Sequence, residues 1–242
     1  MHTTFFRSVV TLSTLTLALH SALADEASIR KNLADRLADF PGIDEVNKTP
    51  IPGVYELRLG TEVLYTDEQG DHIIQGALID TRTRTNLTEA RLNKLNAIDF
   101  ASLPLKDALV WKQGSGARRM AVFADPNCGY CRRFERDLQK VKDVTVYTFL
   151  IPILGGDSPE KSKNIWCAKD SMSVWRDWMI NGVMPQRVTT SCETPIARNL
   201  ALSRKHRITG TPSIVFEDGT RIPGAISVEQ IEKHLLASRV KE

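Results

Sequence analysis

A small α+β module, a linker helix and a larger α/β domain carrying a helical insertion are what this sequence predicts, and three observations carry the prediction. Short strand-like runs between Ile43 and Thr81 follow one amphipathic helix and are separated by turn residues. The apolar run Met120-Ala121-Val122-Phe123-Ala124 reads as a buried strand, breaks at Asp125-Pro126-Asn127 and passes into a helix opening on Cys128-Gly129-Tyr130-Cys131. Much later, Gly210-Thr211-Pro212 leads into a second apolar strand, a hairpin and a terminal helix.

Residues 1–24 read as a secretory leader. Arg7 supplies a basic start, Val9 to Leu19 an apolar core, and Ala22-Leu23-Ala24 a small-x-small site that predicts cleavage after Ala24. A membrane helix needs about 20 apolar residues, more than this core offers. Residues 25–85 form the first module. Ile29, Leu33, Leu37 and Phe40 make one helical stripe, which Pro41-Gly42 ends. Runs at Ile43 to Lys48, Val54 to Leu59, Glu62 to Thr66 and His72 to Thr81 follow as antiparallel strands. A module of about 60 residues buries only a marginal core. An exposed edge strand gives it a way to pair, and we expect a homodimer. Residues 86–102 are the linker helix: Asn86 with Glu89 forms a cap, and Leu87, Arg91, Leu95 and Ile98 lie along one side.

Residues 103–242 form the second domain. A short helical stretch is expected at Leu105 to Trp111, then the glycine loop Gly114-Ser115-Gly116, then the strand before Cys128. Phe134, Leu138 and Val141 give the next helix its buried stripe among Arg132, Arg133, Glu135, Arg136 and Lys140. Val144 to Ile151 is a second buried strand, so strand, helix and strand make a parallel crossover unit. Pro159 to Ala201 reads as mostly helical, with Ile165, Ala168, Met172, Trp175 and Met179 as core. Ser213-Ile214-Val215-Phe216 is a strand, Asp218-Gly219 a hairpin signal, and Thr220 to Ile222 its partner. Ser227 with Gln230 caps a helix carrying Val228, Ile231, Leu235 and Leu236.

Charge and composition exclude some functions. The net charge is +3, one less without Arg7, with both signs interspersed. No basic tail or aromatic-basic stripe points to nucleic acid. Export would place all four cysteines, Cys128, Cys131, Cys167 and Cys192, where disulfides persist. Four cysteines allow three pairings, and sequence alone does not choose among them. The two-residue spacing makes Cys128 with Cys131 the natural first pair. That leaves Cys167 with Cys192, as a closed structural disulfide or a second redox couple.

Cys128 falls at a helix N-terminus, where unpaired N–H groups and the helix dipole favour a thiolate. It is therefore the expected nucleophile. Cys131, one turn further in, can attack a mixed disulfide on Cys128 and release the substrate. The dipeptide Gly129-Tyr130 tunes thiolate stability. Pro212, just before a buried strand, lacks a ladder donor and marks a rigid turn, cis or trans. No metal and no cofactor beyond the cysteines is implied.

With these phrases in place, the second domain resembles a thioredoxin fold. The chain from residue 25 to 242 resembles the bacterial periplasmic disulfide isomerases of the DsbC type. The resemblance is carried by Ala121-Val122-Phe123 through Cys131, Val144-Thr145-Val146-Tyr147-Thr148-Phe149, Ile165-Trp166-Cys167-Ala168-Lys169-Asp170 and Gly210-Thr211-Pro212-Ser213. It implies a cystatin-like N-terminal dimerisation domain, an attacking Cys128 and a resolving Cys131. It also implies a substrate-binding surface of Gly129, Tyr130, Thr211 and a cis Pro212, with Cys167 and Cys192 as a structural disulfide. The partners it implies are mis-oxidised or misfolded exported proteins, held in the cleft of a V-shaped dimer with chaperone activity, and a membrane thiol reductant of the DsbD type. Two other readings share the residues: a reductase or oxidase serving one client, and a chaperone or binding module whose redox pair is secondary.

Overall fold

The structure, a computed structural model, describes residues 15–238, with side chains from Glu26 onward. The first 14 residues of the expected leader lie outside the described residues. The remainder of the leader lies within α1, whose backbone runs Leu15–Arg36. Among the described residues no helix is long and apolar enough to cross a membrane.

The chain divides into two compact units, Met1–Leu95 and Asn96–Glu242. In the first, α1 is followed by β1 (Glu45–Lys48), β2 (Val54–Leu59), β3 (Glu62–Asp67) and β4 (Ile73–Ile74), an antiparallel sheet in the order β1-β2-β3-β4. The strands alternate, so Tyr55, Leu57 and Leu59 face inward and meet Ile29 and Leu33 of α1. The helical stripe is shorter than expected. α1 stops at Arg36, Phe40 packs from beyond its end, and Leu37 is 43% exposed. The run from His72 to Thr81 is not one strand but two short ones, β4 and β5 (Ile79–Asp80). Gly76 lies between them, and β5 pairs instead with β6 (Thr85–Asn86). The next helix, α2 (Leu87–Leu95), is bound to the first unit's own sheet. The Tyr65 hydroxyl bonds to Thr88, and Arg91 bridges Glu56 and Glu45. It ends before Ile98, which is buried in the second unit.

The second unit holds one five-stranded sheet of β7 (Leu109–Gln113), β8 (Arg118–Ala124), β9 (Val144–Leu150), β10 (Ser213–Phe216) and β11 (Arg221–Pro223). Its order is β11-β10-β8-β9-β7, with β8 and β9 parallel and all other neighbours antiparallel. β8 is central and buried on both faces, which is why its sequence is almost continuously apolar. Met120, Val122 and Ala124 point into one layer with α3 (Gly129–Leu138), α4 (Ser158–Trp166), α5 (Ser171–Arg176) and α7 (Val228–Ala237). Ala121 and Phe123 point into the other, against Phe149, Ile151, Val215, Ile98 and Phe100.

Several elements differ from expectation. Leu105 to Trp111 is not helical. A single 3₁₀ turn, Leu105–Asp107, precedes β7, where Leu109 is buried and Val110 is 49% exposed. Leu105 and Leu109 are also four apart, so local spacing fits a helix as well, and pairing with β9 decides otherwise. The segment from Pro159 to Ala201 is interrupted. α5 continues as one π-helical turn, Asp177–Asn181, residues 183–195 have no regular structure, and α6 (Ile196–Lys205) resumes. Within it Ile165, Trp175 and Met179 are core, while Ala168 and Met172 are only partly covered. In α7 Ile231 and Leu235 are buried, but Leu236 is 59% exposed. The hairpin at Asp218-Gly219 needs its glycine: φ is +84°, and a Cβ there would stand 3.2 Å from the Ile98 carbonyl oxygen.

Candidate active site

Cys128 is the N-cap of α3, with extended backbone angles (φ −80°, ψ 117°). Four N–H groups at a helix start have no intrahelical partner. Here the thiol sulfur takes the place of the usual oxygen cap: the Cys131 N–H donates to Cys128 Sγ at 3.2 Å. From 83 residues away in sequence, Thr211 brings its carbonyl oxygen within 3.2 Å of the same sulfur. The Thr211–Pro212 peptide bond is cis, and the Thr211 contact brings the loop before β10 to the start of α3 at Cys128. Both thiols are free and well covered, Cys128 at 4% exposure and Cys131 at 1%. Cys128 is therefore less open than its outer position suggests. Tyr130 between them is 68% exposed.

The two thiols differ in acidity for identifiable reasons. Donation from the Cys131 thiol is the largest influence on Cys128. Burial opposes it, and the Thr211 side chain and the N–H groups of Cys131 and Tyr130 add to it, leaving Cys128 lowered to about 6. Burial, followed by its interaction with Cys128, pushes Cys131 far above the ordinary thiol range. One sulfur is thus poised as a thiolate at neutral pH while its neighbour keeps its proton.

Cys167, at the C-terminus of α4, is bonded to Cys192 in the irregular segment, with Cα atoms 6.0 Å apart. Trp166 Nε1 donates to the Glu193 carbonyl at 3.2 Å and fixes the same strap.

Two features around this centre carry more than local sequence suggests. Asp125, Pro126 and Asn127 read only as strand breakers, yet all three are bonded to the helical insertion. Trp178 donates through Nε1 to the Pro126 carbonyl at 2.6 Å, and Arg132 lies over its ring at 4.1 Å. Glu135 read as part of a charged, solvated face. It is 2% exposed and accepts from Trp175 Nε1 at 2.7 Å. A signal for Glu135 was present, because Cys131, Glu135 and Leu138 share i, i+4, i+7 spacing and hence one helix face.

Burial raises the Glu135 carboxyl to about 7, against the opposing effects of the Trp175 bond and the Arg176 charge. A folded value above the ordinary 4.5 means the native state holds the proton more tightly. That stabilisation is complete below about pH 4.5 and is lost as pH rises through about 7. Glu135→Gln keeps the acceptor for Trp175 and removes the ionisation. It is expected to stabilise the protein by about 3 kcal/mol at pH 8 and to be nearly neutral at pH 4.5, as read by urea unfolding. Equal effects at the two pH values would show that Glu135 does not titrate in this window.

The fold and the paired thiols define a thiol–disulfide oxidoreductase of the thioredoxin superfamily. Residues 105–238 match the family model described as a thioredoxin-like domain, and residues 20–89 match that of the disulfide bond isomerase protein N-terminal domain. The probable thiol:disulfide interchange protein DsbC of Bordetella pertussis is 42% identical over 208 residues, covering 86% of this chain and 73% of its own. Thiol:disulfide interchange protein DsbC of Escherichia coli K12 is 31% identical over 224 residues, covering 88% and 89%. Among solved structures, the disulfide interchange protein from Neisseria gonorrhoeae superposes with a TM-score of 0.53 at 35% identity, covering 57% of this chain and 99% of that one. The chain belongs to the DsbC family of thiol:disulfide interchange proteins.

Proposed function

We propose that this protein rearranges non-native disulfides in exported proteins, with Cys128 as the attacking and Cys131 as the resolving thiol. The observation that carries this is the asymmetry of the pair: a capped Cys128 lowered to about 6 beside a buried Cys131 pushed the other way. At pH 7 about nine tenths of Cys128 is then thiolate.

The Cys128 thiolate attacks one sulfur of a substrate disulfide. That S–S bond breaks, a mixed disulfide forms and a substrate thiolate leaves. The released thiolate attacks another substrate disulfide, and the last exchange returns Cys128 as thiolate. Bonds are reshuffled with no net gain or loss of electrons. Where the substrate stalls, Cys131 gives up its proton and attacks Cys128 Sγ. The substrate leaves reduced, carrying two electrons, and a Cys128–Cys131 disulfide remains. A membrane thiol reductant of the DsbD type would restore the pair. Thr211 and Pro212 present the backbone beside Cys128 against which a substrate strand lies, with Gly129 and Tyr130 forming the opposite lip. Cys167 and Cys192 act as a structural disulfide. Periplasmic location after removal of residues 1–24, homodimerisation through residues 25–85, and chaperone activity complete the reading, which the family supports.

The test is acid-quenched alkylation of the protein taken from its own compartment, followed by rescue of a scrambled multi-disulfide substrate. A reduced Cys128 pair beside an oxidised Cys167 pair, together with rescue, is the expected result. A mainly oxidised Cys128 pair would make the chain an oxidase on the same scaffold. A reduced pair without rescue would make it a dedicated reductase.

A further inference from the structure

The side chain three residues before Cys128 has no part in the exchange steps above, yet it is the most heavily bonded carboxylate near them. Asp125 is completely buried. Its Oδ1 accepts from the Asn127 N–H at 2.7 Å and from the Ser158 hydroxyl at 2.6 Å, and its Oδ2 accepts from the Leu154 N–H at 2.9 Å. Its backbone carbonyl accepts the Cys128 N–H at 3.0 Å. A carboxylate in a turn needs only the bond to the N–H two residues on, here Asn127. The bonds to Leu154 and Ser158 exceed that need, and they reach across to the segment leading from β9 into α4.

The next two residues are tied the same way. The Pro126 carbonyl accepts from Trp178 Nε1 at 2.6 Å. Asn127 donates through Nδ2 to Asp157 Oδ1 at 2.9 Å and accepts through Oδ1 from Lys161 Nζ at 2.9 Å. Three consecutive residues of the active-site turn are therefore each held by the helical insertion, and Asp125 is the member that buries a charge to do so. Burying a carboxylate is unfavourable unless its lone pairs are filled, and here three donors fill them.

We propose that Asp125 is a positioning residue for disulfide exchange: its carboxylate latches the active-site turn to the start of α4 and so holds Cys128 in the N-cap position. The proposal rests on Cys128 being the attacking thiol and deepens that reading. It makes the insertion a support for nucleophile geometry rather than only a wall of the core. Without the latch the turn gains freedom, Cys128 Sγ loses its fixed place against the N–H groups of α3, and its thiolate loses stabilisation.

The test is the pH dependence of Cys128 alkylation, read at that residue by mass spectrometry, in the full chain and in Asp125→Ala and Ser158→Ala. The charged and titratable groups around the turn, Asp157 just before α4, Lys161 of α4, Arg132 of α3 and the Cys131 thiol, stay in place in both variants. In Asp125→Ala the midpoint is expected to rise by about one pH unit, a tenfold loss of thiolate on the acid side. Ser158→Ala removes one donor and should give a smaller rise, and it carries the test should Asp125→Ala fail to fold. The direction is diagnostic, because removing a nearby negative charge would by electrostatics alone lower the midpoint. An unchanged or lowered midpoint overturns the latch even where melting temperature falls, since a purely structural carboxylate affects melting without moving the profile. A full-chain midpoint near the ordinary thiol value of about 8.5 would instead show that Cys128 is not activated, and the functional reading itself would fail.

Discussion

Replacement of Cys128 by serine is expected to abolish rescue of a scrambled substrate, whereas replacement of Cys131 leaves the first attack intact and traps the protein on its substrate. The contrast follows from the unequal roles proposed for the two sulfurs. At about 6, Cys128 supplies a thiolate at neutral pH, and a serine hydroxyl in the same cap has no comparable nucleophile to offer. Rescue should fall to the uncatalysed level. In Cys131→Ser the backbone cap remains, because the N–H of residue 131 still donates to Cys128 Sγ, and the serine hydroxyl takes over the side-chain donation that most lowers Cys128. Attack still forms the mixed disulfide, but nothing internal displaces it. A covalent adduct should accumulate on a non-reducing gel, and a reductant should dissolve it. If Cys128→Ser forms the adduct and Cys131→Ser does not, the two roles are reversed.

The largest stability effect is expected at Trp175. It is fully buried in the layer that holds Cys131, Phe134 and Leu138, and its indole N–H is bonded to the buried Glu135. Trp175→Ala removes a large apolar volume and strips a buried carboxyl of its donor. The cavity alone costs about 3–5 kcal/mol. Leaving Glu135 unsatisfied adds about 1–3 kcal/mol. Trp175→Phe keeps most of the volume and loses the N–H, so it isolates the second contribution and should cost about 1–3 kcal/mol. Urea unfolding at pH 7 measures both. A loss below about 1 kcal/mol for Trp175→Ala would show that this layer repacks freely and is not the close-packed core described here.

Local patterns reveal a good part of this molecule. The apolar run ending at Ala124, the turn at Asp125-Pro126-Asn127 and the cysteines at 128 and 131 place a thiol at a helix start by chain order alone, because strand period, breaker and helix period are short-range properties. The capping box at Ser227 and Gln230 is legible for the same reason. Edges and interruptions are not legible. β7 reads as helix because Leu105 and Leu109 fit either period, and the insertion reads as mostly helical because its break at residues 183–195 depends on packing. Burial of a charged residue is also non-local. Glu135 sits on an apolar face, but only the arrival of Trp175, 40 residues later, gives its carboxyl a donor.

What the sequence alone determined is the chemistry on offer: two thiols one helical turn apart, with the outer one at a helix N-terminus, in a chain built for a parallel crossover and a terminal hairpin. What only the tertiary structure decided is how that chemistry is biased. Thr211 reaches Cys128 across 83 residues, Cys167 closes on Cys192 and not on another thiol, and Asp125 reaches Ser158 across 33. These are contacts between segments whose spacing along the chain carries no periodic signal. The Thr211 and Asp125 contacts exist because the sheet brings the ends of β8, β9 and β10 together, and a carboxylate or a thiol at such a junction takes its properties from whatever partners the fold delivers there.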